Sequence, residues 1–487
     1  MLLSEILKNL NHTASALKDC EITDIVYDSR KASPGTMFVA LKGAFTDGHD
    51  YVQSAYLNGA RVFLTEHAVP LAADAQVIIT EDTRAALAEI SAEFFGHPEK
   101  ELDVIGVTGT KGKTTITHMM KHCLDHIGIK SGVIGTVGAY FDGKYVPTVN
   151  TTPESYENMK LMRRMADAGC KAVCMEVSSL GLKAHRVDGI RFSTAVFTNL
   201  SPDHIGGAEH ESFEEYVYWK TQLFKNCDSA VLCADDAYTP ELIKQLSVPY
   251  TTYACFTDAD ITADNVVSLR ENNFFGAEFD CNSSRGTVKM RTAMPGLFSV
   301  QNALAAAALC FRYGATAEET AEAMKTAKVK GRNEVMEVPA DYDVIIDYAH
   351  NGQSFRSVLD TFGEYEHNKI ITVFGSVGDR AQLRRQEMGL VSGAKADLSI
   401  ITSDDPGFED PVKIAEEIAS YVRKAGGKYE IEPDREKAVF KALSAAKKGD
   451  IVLILGKGHE TAQKINGEKV PYSDHESVKK FFEKFTV

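Results

Sequence analysis

Within seven residues, Gly109-Thr110-Lys111-Gly112-Lys113-Thr114-Thr115 combines two glycines, two ammonium groups and three hydroxyls. Backbone N–H groups of such a turn point into one concavity at a helix N-terminus, where they and Lys113 hold phosphate oxygens while the Thr114 hydroxyl faces Mg²⁺. The chemistry implied is that of a nucleoside triphosphate. The position five before Gly112 is Val107, where the usual loop of this kind has glycine, so the match is the shorter Thr108 to Thr115. Further polar groups follow apolar runs along the chain: Glu176-Val177-Ser178-Ser179, Thr198 to His204, Asp347-Tyr348-Ala349-His350, Gly375 to Arg380, Ser403 to Gly407 and Gly456 to Glu460. Glu176 and His204, at neighbouring strand ends, could complete a Mg²⁺ shell with Thr114, oxygen ligands being the rule and a nitrogen the exception.

The elements that must position these groups follow from periodicity. Asp103 to Thr108 reads as a buried parallel strand and Ile116 to Ile127 as the helix after the loop. Further runs at Ser131 to Thr136, Lys171 to Val177, Thr194 to Asn199 and Ser229 to Ala234 alternate with helical stretches, as in a doubly wound parallel sheet. Ligands in such sheets sit at the carboxyl ends of the strands, where the polar residues fall. A second alternation has runs at Val344 to Ile346, Ile370 to Phe374, Leu398 to Ile401 and Ile451 to Leu455. Before both, short runs at Ile25 to Tyr27, Met37 to Leu41 and Arg61 to Thr65, parted by Pro-Gly and Asp-Gly turns, predict a small α/β module. The expected division is 1–98, 99–330 and 331–487: an α/β chain of three domains, a small module, a central phosphate-loop domain with a doubly wound parallel sheet and a Rossmann-like C-terminal domain.

At 487 residues, with 44% hydrophobic and 25% charged residues, the chain has material for three cores. Its formal charge of −15 argues against nucleic acid or an anionic membrane as the main partner. No apolar run approaches the roughly 20 residues of a spanning helix, and Met1 to Glu5 lacks the basic start of a signal peptide, so no membrane insertion and a cytoplasmic location are expected. Nine cysteines without a Cys-x-x-Cys pair read as reduced, buried thiols.

Taken together, Thr108 to Thr115, Asn150-Thr151-Thr152-Pro153, Glu176 to Ser179, Thr198 to His204, Tyr216 to Lys220, Gly331-Arg332, Asp347 to His350 and Gly456 to Glu460 resemble the Mur ligases over essentially the whole chain. Among them the likeness is to the UDP-N-acetylmuramoyl-tripeptide synthetases. The resemblance implies an ATP-dependent, amide-forming enzyme of peptidoglycan precursor assembly, expected as a monomer, that takes UDP-N-acetylmuramoyl dipeptide and a diamino acid. It implies that Ser29, Gly48 and His49 hold the uridine diphosphate end, and that Asn150, Thr151, Thr152, Ser178 and Arg186 contact the sugar-peptide. Ala184 stands where relatives often carry a polar amide. By the same resemblance Gly109 to Thr115, Asn302, Arg332, Asp347 and His350 serve ATP, Lys113, His204, Lys220 and Arg332 serve catalysis, and Thr114, Glu176, His204 and Lys220 serve Mg²⁺. Lys220 matches a lysine that relatives carry as a carbamate; the bland alternative is a solvated helix lysine. Arg385 is expected to hold the amino acid's α-carboxylate, with Asp404, Asp405, Gly456 and Glu460 around the rest of it.

The added amino acid is the finer question. Relatives that add meso-diaminopimelate carry Asp-Asn-Pro-Arg where this chain has Asp404-Asp405-Pro406-Gly407. The arginine is missing, and Asp405 adds a negative charge that would repel a distal carboxylate and attract an ammonium. The stretch Asp203 to His210 looks like the lysine-adding relatives, whereas Gly458-His459-Glu460 looks like the diaminopimelate-adding ones. L-Lysine is the favoured expectation, with meso-diaminopimelate as the alternative and ornithine behind both. From another class, a phosphate-loop switch protein that hydrolyses nucleotide explains 103–115 but leaves the remaining polar strand ends without a role. Within the superfamily, a folate polyglutamate synthetase is disfavoured by Asp28-Ser29-Arg30 and a D-alanyl-D-alanine-adding enzyme by Gly456 to Glu460.

Overall fold

The computed structural model describes residues 1–487 except 15–16, 44–45, 203–205, 207–208, 272–273, 379–381 and 486–487. The chain folds as two compact units, one of Met1–Asp260 with Ala308–Tyr313, the other of Ile261–Ala307 with Gly314–Val487. Among the described residues no helix is long and apolar enough to cross a membrane.

The first unit begins with a five-stranded sheet in which Gln76–Ile79, Val62–Thr65, Thr36–Val39 and Asp24–Val26 lie parallel in that order, with Thr13–Ala14 antiparallel at the edge. Strands Thr36–Val39 and Val62–Thr65 are buried throughout, which explains why they read as unbroken apolar runs. The larger sheet that follows is parallel across Ser131–Gly135, Ala172–Glu176, Asp103–Thr108, Thr194–Phe197, Ala230–Cys233 and Tyr250–Ala254. An antiparallel edge is added by Gly138–Phe141 and Lys144–Val146. The strand entering the phosphate loop is central, flanked by Ala172–Glu176 and Thr194–Phe197, so the ends carrying Glu176 and Thr198 are its immediate neighbours.

The second unit opens with an antiparallel meander of Ile261–Glu271, Phe274–Ser283 and Gly286–Thr292. Sequence periodicity does not announce it: one face is solvated, with Asp264 to Ser268 exposed. Its main sheet has the order Glu334–Met336, Asp343–Asp347, Ile451–Leu455, Ile370–Phe374, Leu398–Ile401 and Tyr429–Ile431, parallel but for the first strand. Four of these are the apolar runs of the sequence within a residue at each end. The last of them in sequence, Ile451–Leu455, inserts between the first two, so the strand order switches there and opens a crevice at the carboxyl ends.

Candidate functional site

The phosphate loop takes its shape from two glycines. Gly109 (φ +146°) has no room for a side chain, since a Cβ would overlap the Thr198 hydroxyl, and Gly112 (φ +89°) opens the helix Lys113–His126 in a left-handed conformation. The neighbouring strand end staples the loop in place: Thr110 N donates to Asn199 O at 2.9 Å, Lys111 N to Asn199 Oδ1 at 2.9 Å, and Thr198 Oγ1 to Lys111 O at 2.7 Å. Thr198 and Asn199 therefore position the loop. Asp203 and His204, which close the same stretch, lie outside the described residues, as do Asp379 and Arg380.

Lys113 Nζ donates to Gly109 O at 2.7 Å and Thr110 O at 3.1 Å. Lys220, on the helix Phe213–Gln222, sends its Nζ to the same Gly109 carbonyl at 2.7 Å and lies over the Tyr216 ring. It is 3% exposed, so it is not a solvated helix lysine. Glu176 is also buried, and its carboxylate accepts from Thr114 Oγ1 (3.0 Å), Thr136 N (2.8 Å) and Thr136 Oγ1 (3.1 Å). A Cβ at Gly135 would overlap that carboxylate. A hydroxyl and a carboxylate side by side beside a phosphate loop form the hard-oxygen donor set that suits Mg²⁺. Thr136, named in the sequence only as the end of an apolar run and not as a site residue, is a second hydroxyl on this carboxylate.

Of the acceptor-side residues, Thr151 Oγ1 accepts from Thr136 Oγ1 at 3.0 Å, linking the Asn150 to Thr152 turn to Glu176. Thr152 is fully buried, its hydroxyl donating to Glu176 O (2.9 Å) and accepting from Ser178 N (2.9 Å). Its hydroxyl thus holds the turn. Ser178 Oγ caps the short helix Ser179–Lys183 through Gly181 N. Arg186 is paired with Glu154. In the first module, Ser29 opens a one-turn helix capped by Asp28, and its carbonyl accepts from Asn58 Nδ2. Gly48 lies so close to Leu41 that a Cβ would meet its backbone at 2.6 Å. His49 stacks on His67, with Nδ1 2.6 Å from Asp47 and Nε2 accepting from Glu66 N.

In the second unit, Asp347 is buried at a strand end and accepts from Asn333 N and Ala349 N, both at 2.7 Å. Burial raises its carboxyl above the ordinary range, and Arg332 opposes this. Arg332 lies over the Tyr348 ring at 4.7 Å, and the Tyr348 hydroxyl donates to Glu460 Oε1 at 3.2 Å. His350 Nδ1 is 2.7 Å from Tyr348 O. Asn302 is buried on the helix Leu297–Arg312, beyond the Pro295-Gly296 turn.

Asp404, Asp405 and Glu460 converge within 4.8 Å, with Lys457 Nζ among them at 3.5, 2.7 and 2.5 Å. The group is an ion-pair cluster rather than a cation site. Burial alone would lower the Lys457 ammonium, but Asp404, Glu460 and Asp405 hold it above its ordinary value. Burial likewise raises the Asp404 carboxyl, against Lys457 and Arg435. The charge inversion expected from Asp405 is therefore overturned: its Oδ1 accepts from Lys457 and from Lys464 N, so its charge is consumed inside the protein. Lys457 lies in the quoted Gly456 to Glu460 motif, yet its partner is 52 residues away in sequence. Gly456 (φ +110°) keeps the backbone clear of Asp404, whose Oδ2 a Cβ would meet at 2.8 Å.

Arg385 is 3% exposed and held by two carboxylates, Glu417 at 2.8 Å and Glu409 at 2.9 Å. An α-carboxylate reaching this guanidinium meets donors already shared. Its Nε, Ser376 Oγ and Ser403 Oγ are buried without a hydrogen-bond partner among the described residues. Buried polar atoms are ordinarily satisfied, so two orphan hydroxyls beyond neighbouring strand ends and one orphan guanidinium nitrogen on the helix Gln382–Lys395 mark a place for a polar ligand.

The chain matches three family models in order: the Mur ligase family catalytic domain over residues 21–95, the Mur ligase middle domain over 107–310 and the Mur ligase glutamate ligase domain over 331–458. It is 39% identical to the UDP-N-acetylmuramoyl-L-alanyl-D-glutamate–2,6-diaminopimelate ligase of Caldanaerobacter subterraneus, covering 98% of each chain. It is 37% identical to the ligase of the same name from Bacillus licheniformis, covering 99% of each. A solved structure bearing that ligase name superposes with a TM-score of 0.67 at 27% identity, over 96% of both chains. These three domains and full-length likenesses place the chain in the Mur ligase family, among the ATP-dependent, ADP-forming UDP-N-acetylmuramoyl-tripeptide synthetases of peptidoglycan synthesis.

Proposed function

We propose that the protein adds meso-diaminopimelate as the third residue to UDP-N-acetylmuramoyl-L-alanyl-D-glutamate. The carrying observation is the full-length likeness to relatives named for that reaction. Residues 1–98 take the uridine diphosphate end through Ser29, Gly48 and His49. Residues 99–330 take ATP on Gly109 to Thr115, with Asn302, and the sugar-peptide on Asn150, Thr151 and Arg186. Residues 331–487 take the amino acid around Arg385, Asp404, Gly456 and Glu460, while Arg332, Asp347 and His350 serve the nucleotide. Thr114 and Glu176, together with His204, would hold Mg²⁺, which would supply charge neutralisation on the phosphates. A carbamate on Lys220 Nζ would turn a buried cation into a further oxygen ligand.

The γ-phosphoryl passes to the peptide carboxylate, giving an acyl phosphate and ADP. The incoming amine attacks its carbonyl carbon, and the tetrahedral adduct collapses with loss of phosphate. Such transfer needs positioning and charge neutralisation more than covalent help. Lys113 and Arg332 supply cations.

Gly407 supports a second reading, L-lysine, because no arginine stands there for a distal carboxylate. A side-by-side screen of the three diamino acids decides between them. Product with meso-diaminopimelate at a kcat/KM at least tenfold above that with lysine is expected; preference for lysine would return the reading to the one that Gly407 favours.

A further inference from the structure

Glu154 begins the helix Ser155–Asp167 as its N-cap residue but makes no capping hydrogen bond. Its carboxylate is taken by two arginines from separate elements. Oε1 accepts from Arg186 Nη2 at 2.7 Å and Nε at 3.0 Å, and Oε2 lies 3.1 Å from Arg84 Nη1. Arg84, in the first turn of the helix Thr83–Phe94, also donates Nε and Nη2 to Lys42 O at 3.2 and 3.1 Å. Lys42 is bridged to Asp47, the residue before Gly48 and His49. Arg186 Nη1 donates in turn to Thr152 O at 3.2 Å. A continuous polar chain thus runs from the Lys42 loop through Arg84, Glu154 and Arg186 to the Thr152 turn.

A second contact runs beside it. His185 is held in a left-handed backbone (φ +57°) that a non-glycine residue rarely adopts. Its Nδ1 is 2.6 Å from Asp188 and its Nε2 3.6 Å from Asp82, the N-cap of the helix that carries Arg84. Two successive residues, His185 and Arg186, therefore meet two helix N-caps, Asp82 of the helix Thr83–Phe94 and Glu154 of the helix Ser155–Asp167. The three side chains of the relay are only 15–23% exposed, so solvent screens them less than a surface pair. Two guanidinium groups on one carboxylate leave a net positive charge, suited to an anionic ligand.

We propose that Arg84 and Glu154 are positioning residues: they fix the Arg186 guanidinium toward the anionic peptide of the acceptor and set its distance from the uridine-side loop. The acceptor is then read as one length, nucleotide end and peptide end together. This rests on the reading of Arg186 as a sugar-peptide contact.

The test is steady-state kinetics of the full-length Glu154→Gln, Arg84→Lys and Arg186→Lys variants, with each substrate varied in turn and UDP as a competitive inhibitor. Glu154→Gln is expected to raise the acceptor KM about tenfold, with the KM for ATP and the inhibition constant of UDP within twofold of the parent. Arg84→Lys should give a smaller rise, and the double variant should be no worse than Glu154→Gln alone. If Arg186→Lys raises the acceptor KM and Glu154→Gln does not, the relay is overturned while the Arg186 reading stands. If Arg186→Lys also leaves it unchanged, both fall. A parallel loss for UDP, ATP and acceptor in Glu154→Gln would mean that the carboxylate merely supports the fold, and would equally overturn the relay.

Discussion

Lys113 and Lys220 both donate to the carbonyl of Gly109, yet what they are expected to do differs. Lys113 closes on the backbone of its own loop, acceptors that phosphate oxygens can replace without disturbing the core. Lys113→Ala is therefore expected to cut kcat/KM by on the order of 10²–10³, the size of losing one charge-stabilising donor. Its midpoint of urea unfolding should stay close to the parent; ligation near the parental rate would remove the loop from the chemistry. Lys220 is buried against Tyr216. Lys220→Ala should be nearly inactive and partly restored by millimolar formate or acetate if a carbamate works there, whereas full activity would leave Lys220 a packing residue. Both lysines stood out by motif. Asp405 could be misjudged because charge is counted along a chain but neutralised in space, and Lys457, its partner, is brought to it only by the pairing of strands.

At the level of elements, strands buried on both faces betray themselves as apolar runs, and the chemistry-bearing residues at their ends could be named from sequence. Less was legible where an element is half solvated, as in Ile261–Thr292, or where a glycine conformation moves a boundary. The phosphate-loop helix starts at Lys113 rather than Ile116 because Gly112 supplies a left-handed N-cap. The helix Asp474–Phe485 carries a tie no periodicity shows. Asp474 holds Arg435 through Nε and Nη2, both at 2.9 Å, and both side chains are wholly buried. Arg435 Nη2 also donates to Leu455 O, the residue before Gly456, and its Nη1 to Ser403 O. The pair therefore anchors two of the strand ends that carry the proposed amino-acid pocket. Removing one partner strands a buried charge, so Asp474→Ala should cost about 3–5 kcal/mol in urea unfolding. Replacing both by apolar residues, Arg435→Met with Asp474→Leu, should recover much of that loss; equal damage in the single and double variants would show that Asp474 acts through something other than the ion pair.

For the molecule as a whole, the phosphate loop, Glu176 and the proposed acceptor contacts belong to the first compact unit, and Arg332, Asp347 and the proposed amino-acid pocket to the second. A switch protein needs only the loop and a water molecule, and would release ADP continuously whether or not an acceptor is present. A ligase working through an acyl phosphate behaves otherwise, because the first transfer consumes the acceptor carboxylate and the second waits for an amine. With ATP and the UDP-sugar dipeptide but no amino acid, rapid quenching should show a burst of about one ADP per enzyme, followed by slow release as the acyl phosphate leaks to water. Hydroxylamine, a small nucleophile, should capture that intermediate as a hydroxamate of the dipeptide. Adding the diamino acid should convert the burst to steady turnover with phosphate and tripeptide formed in equal amounts. Omitting the dipeptide should abolish the burst altogether, since nothing then accepts the phosphoryl group. Sustained ADP formation without it would restore the hydrolytic switch, and a burst that hydroxylamine cannot trap would argue that transfer to the amine occurs without an acyl phosphate.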